Sequence, residues 1–274
     1  MGYTILRLSD YGFSVFGEAT VPTATFVVRK LPARDDHTIY VRLVSNEEKT
    51  VKQTFFSALP AAQFNAQIVE TLPLLNKVDT VSVPLASYAE SHEGVHSGNI
   101  RAKLFTRQPS LPCAKKMLKG SDISRYSLNW SGWYVNYDPS LIDRASGEYA
   151  SLREERIFTF PKIWTRQTGD RIIATWDDQG FYSDNTLHST QLHEGIQVSP
   201  LYLVAVLNSR LLTFVYQERT QERGRVLAQV KIVFLRQLPI RRISFTTPPA
   251  VRASLVEEAK RLYWNMLEGD RNES

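Results

Sequence analysis

The sequence predicts an α+β protein, because segments with strand periodicity and segments with helical periodicity occupy different parts of the chain. Residues 1–55 and 94–192 consist of short runs rich in Val, Thr, Ile and aromatic residues, separated by turn-forming residues. An apolar stripe at helical spacing follows over 199–217. A chain of 274 residues can form one large domain or two smaller ones, and we predict two.

The segment 1–55 is predicted to be β-rich, with strands over 13–18, 23–30 and 38–44. Strands this close in sequence are expected to pair as antiparallel hairpins. The segment has no helix or cap that would cover a sheet edge, an arrangement that natural domains usually avoid. We therefore expect it to be part of a larger sheet.

Residues 53–75 carry apolar side chains at three- to five-residue steps, which predicts a helical connector interrupted by Pro60 and Pro73. A short strand is predicted over 78–83. In the stretch 94–192, frequent turn signals predict a mainly antiparallel sheet whose loops face a ligand. The predicted strands there are 101–106, 126–130, 133–137, 162–166 and 171–176.

Two helices are predicted in the C-terminal part of the chain. The first covers 199–217, with Asn208 and Ser209 marking a break between two shorter helices. The second starts at Pro248 with Thr247 as its cap and runs to about Leu267.

The composition is that of a soluble globular protein, with 43% hydrophobic and 22% charged residues. No apolar run approaches the ~18 residues that cross a bilayer, and the N-terminus lacks a signal-peptide pattern. The single cysteine, Cys113, cannot form an internal disulfide and fits a reducing compartment. We expect a cytoplasmic protein with no membrane partner.

Basic residues are concentrated in the middle of the chain. Residues 97–244 contain 21 Lys or Arg and 13 Asp or Glu, a balance of +8, whereas the remainder has a balance of −3. This distribution favours a polyanionic partner, because neutralised phosphates release counterions. The alternative is a solvated surface of uneven composition. If the partner is DNA, these cations should gather on one surface wide enough for a duplex.

Three glycine-containing units lie in or beside this basic segment: G-V-H-S-G-N at 94–99, L-K-G-S-D-I-S-R-Y at 118–126 and F-P-K-I-W-T-R-Q-T-G-D at 160–170. Each places a glycine, where the backbone can bend sharply, beside cationic or amide side chains that bond to phosphates and base edges. These residues are suited to binding rather than to bond cleavage. The glycines predicted to shape the loops are Gly94, Gly98 and Gly120.

The candidate DNA contacts each have an alternative role. Asn99 either reads an adenine edge or caps its own turn. The side chains at 162, 164 and 166 share one strand face, which suits DNA unless the tryptophan packs in the core and the cations point outward. The loop 219–225 is a phosphate clamp or a free loop. The predicted DNA-binding residues are Asn99, Lys119, Arg125, Lys162, Trp164, Arg166, Arg219, Arg223 and Arg225.

Other polar and aromatic residues are assigned structural roles. Asp122 is expected to hold Lys119 or Arg125 in place, because a phosphate would repel its carboxylate. No metal site is predicted: the acidic residues at 35–36 and 47–48 fall in turns, and the histidines have no ligand-spaced partners and are expected in polar loops. The tryptophans expected in the core are Trp130, Trp133 and Trp176.

The ordered set of the three units, Y-L-V-A-V-L-N-S-R at 202–210 and Q-L-P-I at 237–240 resembles the TaqI-like C-terminal specificity domain of N6-adenine DNA methyltransferases. The resemblance covers about 72–243, and residues 11–31 are similar to the last hairpin of the preceding methyltransferase domain. It implies four parts: a β-rich methyltransferase remnant (1–55), a helical connector (56–80), a target-recognition domain (81–245) and a C-terminal helix (246–274). It also implies sequence-specific recognition of double-stranded DNA in a prokaryotic restriction–modification or phage-defence system.

The catalytic motifs of that family are not present in this sequence. The resemblance calls for an Asn- or Asp-Pro-Pro-Tyr/Phe loop and a glycine-rich turn for S-adenosylmethionine. The only Pro-Pro pair lies in T-P-P-A at 247–250, and there is no glycine between Gly17 and Gly94. We therefore expect no cofactor in this chain and a catalytic methyltransferase domain on the parent chain or another chain. The alternatives are a protein-interaction module of a defence complex and a small methyltransferase with degenerate motifs.

Overall fold

The computed structural model describes residues 2–12, 15–16, 21, 23–58, 64, 66, 68–109, 111–225, 227–241 and 248–272. The chain divides into two compact units, one formed by 1–80 with 218–221 and the other by 81–217 with 222–274. Both contain helices and strands, which confirms the α+β class. None of the helices in the described ranges is long and apolar enough to cross a membrane.

In its described residues the first unit contains a four-stranded sheet of order β2-β1-β3-β4 and two α-helices. Its strands are β1 (Thr4–Gly12), β2 (Thr23–Arg29), β3 (Thr38–Arg42) and β4 (Glu48–Lys52), and its helices are α1 (Gln53–Ala58) and α2 (Ile68–Thr80). β1 pairs antiparallel with β2, and β3 with β4, as hairpins would. β1 and β3 run parallel, however, which the sequence did not predict. Leu8, Ile39 and Val41 pack with Val51 and Phe56 in its core.

Several predicted boundaries in this unit are wrong. The strand predicted over 13–18 lies mostly outside the described residues, and the observed strand β1 precedes it. The strand β4 was missed because its sequence, E-K-T-V-K, offers a single buried residue, Val51. The helix α2 continues to Thr80 with Pro73 inside it, so the strand predicted over 78–83 starts only at Ser82. Pro60 lies outside the described residues.

The second unit contains two four-stranded sheets, of order β14-β8-β11-β7 and β13-β12-β15-β6, and two strand pairs, β10-β9 and β16-β5. All neighbouring strands are antiparallel except β14 and β8. The strands are β5 (Ser82–Pro84), β6 (Ala89–Glu93), β7 (Phe105–Thr106), β8 (Ala114–Leu118), β9 (Ile123–Ser124), β10 (Ser127–Leu128), β11 (Trp133–Asn136), β12 (Lys162–Arg166), β13 (Ala174–Asp177), β14 (Tyr182–Ser183), β15 (Leu187–Leu192) and β16 (Pro239–Arg241).

The chain from residue 81 onward also forms helices, several of which pack against these strands. The helices are α3 (Arg101–Leu104), α4 (Arg156–Thr159), α5 (Pro200–Leu207), α6 (Arg210–Thr220), α7 (Ile232–Leu235) and α8 (Pro249–Asn272). The break between α5 and α6 lies at the predicted place. Its cause is Asn208, whose buried amide donates to the carbonyl of Ala174 at 2.8 Å and accepts from the amide of Ala174 at 2.9 Å.

Other predictions for this unit need correction. Residues 101–104 form a helical turn rather than a strand, so only Phe105 and Thr106 extend the sheet. The strand β15 was missed because its sequence, L-H-S-T-Q-L, is largely polar, yet five of its six residues are buried. His188 therefore lies in a strand, not in a polar loop. The helix α8 extends past Leu267, and its predicted cap, Thr247, lies outside the described residues.

Candidate nucleic-acid interface

The second glycine-containing unit folds into a tight turn that presents Lys119. A 3₁₀ turn covers Gly120–Asp122, and the buried carboxylate of Asp122 accepts the backbone N–H of Lys119 at 3.0 Å. The N–H of Gly120 donates to the Thr186 hydroxyl at 2.7 Å. A Cβ at position 120 would come within 3.3 Å of Thr186, so glycine permits this close approach. Asp122 thus holds the backbone of Lys119 in place.

The register of three strands brings two cations to Trp133. Tyr134 pairs with Thr106, so Arg107 follows beside Trp133, and Trp133 itself pairs with Met117, two residues before Lys119. The Lys119 Nζ lies 3.1 Å from the centroid of the Trp133 ring, and the Arg107 Cζ lies 5.1 Å from it. Both distances fit cation–π contacts.

Two more cation–aromatic contacts involve β8 with the loop before β11, and α3 with β7. The Lys116 Nζ lies 4.8 Å from the Trp130 ring, and the Arg101 Cζ lies 5.1 Å from the Phe105 ring. Trp130 is oriented by its Nε1, which donates to the Trp133 carbonyl at 2.9 Å. We call Arg101, Arg107, Lys116, Lys119, Trp130 and Trp133 the basic–aromatic cluster.

The cluster carries excess positive charge. Burial lowers the pKa of Lys119, and the positive charge of Arg101 lowers it further, whereas Asp184 and Asp122 act in the opposite direction. Among the ion pairs of the described residues, one involves the cluster, a long contact of 3.9 Å between Arg101 and Asp184. Arg101, Arg107 and Lys116 are exposed, and both tryptophans are half-buried. Arg101 and Arg107 are close enough to Lys119 to affect its charge, and cations with so little neutralisation favour an anionic ligand.

The loop glycines Gly94 and Gly98 occupy positions where a side chain would collide. A Cβ on Gly94 would overlap the backbone oxygen of Asp184, and one on Gly98 would overlap that of Tyr149. Gly98 also has a φ of +51°, in the left-handed region that favours glycine. Asn99 uses both ends of its amide in this loop, accepting from the Tyr149 N–H at 2.9 Å and donating to the Gly147 carbonyl at 3.2 Å. Asn99 thus braces this loop against residues 147–149 instead of capping its own turn, and its contact with DNA stays a prediction.

Lys162 and Trp164 do share one strand face, but that face is in the core. Both side chains are fully buried. The Lys162 Nζ forms an ion pair with Asp177 at 2.9 Å, and the Trp164 Nε1 donates to the same carboxylate at 2.9 Å. The prediction that these two residues contact DNA is wrong, because neither reaches the surface.

The remaining predicted contacts are dispersed. Arg166 ends β12 and Arg125 lies in the turn between β9 and β10, both half-buried. Arg219 is in α6, not in a loop, and its guanidinium donates to both carboxylate oxygens of Asp79 at 2.6 and 2.8 Å. With this pairing it is not a free phosphate clamp. Arg223 and Arg225 lie in the exposed loop after α6, as predicted.

Sequence reasoning missed Arg101, Arg107 and Lys116. The tryptophans that were predicted in the core are half-buried and pack against the core clusters: Trp130, Trp133 and Trp176. The run K-K-M-L-K at 115–119 pairs two lysines with two apolar residues and does not alternate, so it gave no clear period-two signal for β8. The described residues contain no group of three or more His, Cys, Asp or Glu side chains that could hold a metal ion.

Residues 115–240, from β8 to β16, match the family model of the TaqI-like C-terminal specificity domain. This segment, a little under half of the chain, is similar to that domain family. The matched segment contains four members of the basic–aromatic cluster, Lys116, Lys119, Trp130 and Trp133, whereas Arg101 and Arg107 precede it. The predicted resemblance is therefore confirmed for this domain. No curated protein matches the chain.

Three solved structures resemble the chain at low sequence identity. The type IIG restriction endonuclease BpuSI has a TM-score of 0.44 and 12% identity, with 93% of this chain and 38% of that chain covered. A chain of a type I restriction–modification system has a TM-score of 0.39 and 8% identity, with 76% and 49% covered. The type IIL restriction–modification enzyme MmeI, solved in complex with DNA, has a TM-score of 0.37 and 12% identity, with 77% and 32% covered. The chain thus spans less than half the length of each of these proteins.

Proposed function

We propose that this chain recognises a specific sequence of double-stranded DNA as the target-recognition part of an N6-adenine DNA methyltransferase in a restriction–modification or phage-defence system. The observation that carries the proposal is the basic–aromatic cluster of the specificity domain. Its cations lie over aromatic rings, and within the described residues their one ion pair is the 3.9 Å contact between Arg101 and Asp184. Phosphates of a duplex would supply the missing negative charge.

Within this proposal, the cluster sets the register of the protein on the duplex. Cations bound to phosphates carry no sequence information by themselves, and bases are read by side chains that reach the groove edges. Arg107 and Lys119 are suited to either task, because arginine and lysine donors pair with phosphate oxygens and with the O6 and N7 acceptors of guanine. Trp133 fixes the direction of both side chains.

The proposal places catalysis on a methyltransferase domain outside this chain, which would bind S-adenosylmethionine and methylate the target adenine in the prokaryotic cytoplasm. The first unit provides a surface for such a partner. β2 is an edge strand of its sheet, and Phe26, Val27 and Val28 are each about half exposed. An open edge with apolar side chains on both faces is suited to strand addition from another domain. We propose that this sheet is completed by the methyltransferase domain.

The same apolar edge supports a second candidate function, a protein-interaction module without direct DNA contact. Electrophoretic mobility shift with a random-sequence duplex pool separates the two. Under our proposal the protein shifts the duplex, heparin competes, and repeated selection enriches one motif that contains an adenine. A module that only docks proteins would shift no duplex and enrich no motif, which would refute the DNA-recognition proposal.

A further inference from the structure

The loop between α6 and α7 presents an apolar side chain to solvent in a cationic setting. Leu227 is 86% exposed, more than any other large apolar side chain among the described residues. It lies between Arg225 and Lys231, with Arg223 on the same loop, and all three cations are exposed. A lone exposed leucine is common on protein surfaces, so the inference depends on how this loop is held and where it lies.

The backbone that follows Leu227 is fixed to the turn between β12 and β13. The Gly169 N–H donates to the Ala228 carbonyl at 2.9 Å, and the Val230 N–H donates to the Gln167 carbonyl at 2.6 Å. Between these bonds, Gln229 forms a β-bridge with Thr168. Leu227 is therefore exposed next to backbone that is held by hydrogen bonds.

A buried and a partly buried acidic side chain hold the other side of the loop. The carboxylate of Glu222, which is 3% exposed, accepts the Gln229 N–H at 3.3 Å and pairs with Arg225 at 3.2 Å and with Lys231 at 3.7 Å. Asp170 accepts the N–H of Gly224 at 3.2 Å. These contacts fix the directions of Arg225 and the backbone before any ligand binds, which lowers the entropic cost of binding.

A chain of hydrogen bonds connects this loop to the basic–aromatic cluster. Gly120, beside Lys119, donates to Thr186 at 2.7 Å. The Thr186 carbonyl accepts the Gln167 N–H at 2.8 Å, and the Gln167 carbonyl accepts the Val230 N–H at 2.6 Å. Three such steps span roughly 15 Å at strand spacing, less than the ~34 Å of one turn of DNA. The two places are therefore separated by less than one helical turn of DNA.

We propose that Leu227 inserts between base pairs as a wedge and kinks the duplex when this chain binds DNA, while Arg223, Arg225 and Lys231 contact the flanking phosphates. Proteins that distort DNA use apolar wedges of this kind beside cationic side chains. Insertion would also remove the exposed leucine from water. The inference rests on the proposed function, since it describes how the same chain engages DNA.

Fluorescence on labelled duplexes tests the wedge separately from binding. The probe is a duplex of about three helical turns that carries the motif selected by the wild-type protein from a random-sequence pool. A donor dye is attached at one end and an acceptor dye at the other. Wild-type protein is expected to raise the energy-transfer efficiency by bending the duplex. Leu227→Ala should bind with less than about a tenfold loss of affinity, because the cations remain, but should abolish most of the bending signal.

Two variants control the comparison. Leu227→Phe should retain bending, because phenylalanine is also an effective wedge, and Leu211→Ala, which truncates another exposed leucine (45%) in α6, should behave as wild type. If Leu227→Ala bends DNA as wild type does, the wedge is refuted while DNA recognition stands. If the wild-type protein enriches and binds no duplex, the proposed function fails and the wedge fails with it.

Discussion

Lys162 and Asp177 form an ion pair of 2.9 Å in which both side chains are fully buried. The pair is well satisfied: the Lys162 Nζ also donates to the carbonyls of Phe158 and Phe160, and the Asp177 carboxylate also accepts the Trp164 Nε1. Burial lowers the pKa of Lys162, and Asp177 opposes that shift. This network joins β12 to β13 beneath the specificity domain's surface, so we assign it to stability.

Lys162→Met is expected to lower the free energy of unfolding by about 3–5 kcal/mol, because it leaves the Asp177 charge buried without its partner. Urea denaturation followed by circular dichroism measures this change. Lys115→Met, at an exposed position of β8, is the matched control and should change stability by about 0.5 kcal/mol or less. A Lys162→Met protein with wild-type stability and impaired DNA binding would show that our assignment is mistaken.

His188 should make stability depend on pH. Its ring is fully buried, one nitrogen lies 2.7 Å from the Val230 carbonyl, and burial lowers the pKa of the imidazole below its usual value. The unfolded chain therefore binds a proton more readily than the folded chain. The stability contribution is complete above about pH 6.5 and is lost as the pH falls below that value, by up to about 1.4 kcal/mol per pH unit.

Urea midpoints at about pH 7.5 and about pH 5.5 measure this effect. His188→Gln should flatten the dependence across this window, although it also lowers stability at both pH values. His193→Gln changes an exposed histidine and should leave the wild-type dependence in place. A dependence equally strong in His188→Gln would contradict the prediction.

Gly98 should tolerate substitution less well than Gly147. Both have positive φ angles, +51° and +82°, so alanine is strained at each. At position 98 the added Cβ would also overlap the Tyr149 backbone, whereas at position 147 it would meet no atom of the structure within 4 Å. Gly147→Ala should cost about 1–2 kcal/mol, and Gly98→Ala should cost more. Thermal unfolding of the two variants side by side tests this order, and equal losses would contradict the close packing of Gly98 against Tyr149.

The extent to which sequence predicted this structure differs among elements. The helices α5 and α6 were predictable from local signals. A long apolar stripe indicates helix, and the polar residues Asn208 and Ser209 mark the break between the two helices. The strand β15 was not, because its polar side chains are satisfied only by tertiary partners, such as Ser91, whose hydroxyl lies 2.9 Å from that of Thr190. Lys162 was misassigned for the same reason, since a lysine is buried only when its partner is in place.

Prediction of the candidate site was limited in the same way, by contacts between residues that are far apart in the sequence. Lys119 was predictable from its glycine-containing unit, and the structure places it in the cluster. Arg107 was not, because its position beside Trp133 depends on the pairing of β7 with β11, and the strand before it was predicted with the wrong length. Sequence patterns thus identified the domain and part of its surface, while nonlocal strand register determines which cations converge.

Binding of duplex DNA by the basic–aromatic cluster is measured by fluorescence anisotropy across a salt series. The comparison is between the wild-type protein, a cluster variant with Arg101→Gln, Arg107→Gln and Lys119→Gln, and a charge-matched control. The control carries Gln at three exposed cations elsewhere, Lys30, Arg34 and Arg261.

If the three cluster cations contact phosphates, the cluster variant should bind more weakly and its slope of log affinity against log salt should be shallower by roughly 2.7, at about 0.9 per lost contact. The control should keep the wild-type slope. A wild-type affinity that does not depend on salt, or a cluster variant that binds like the control, would contradict binding of DNA by the basic–aromatic cluster.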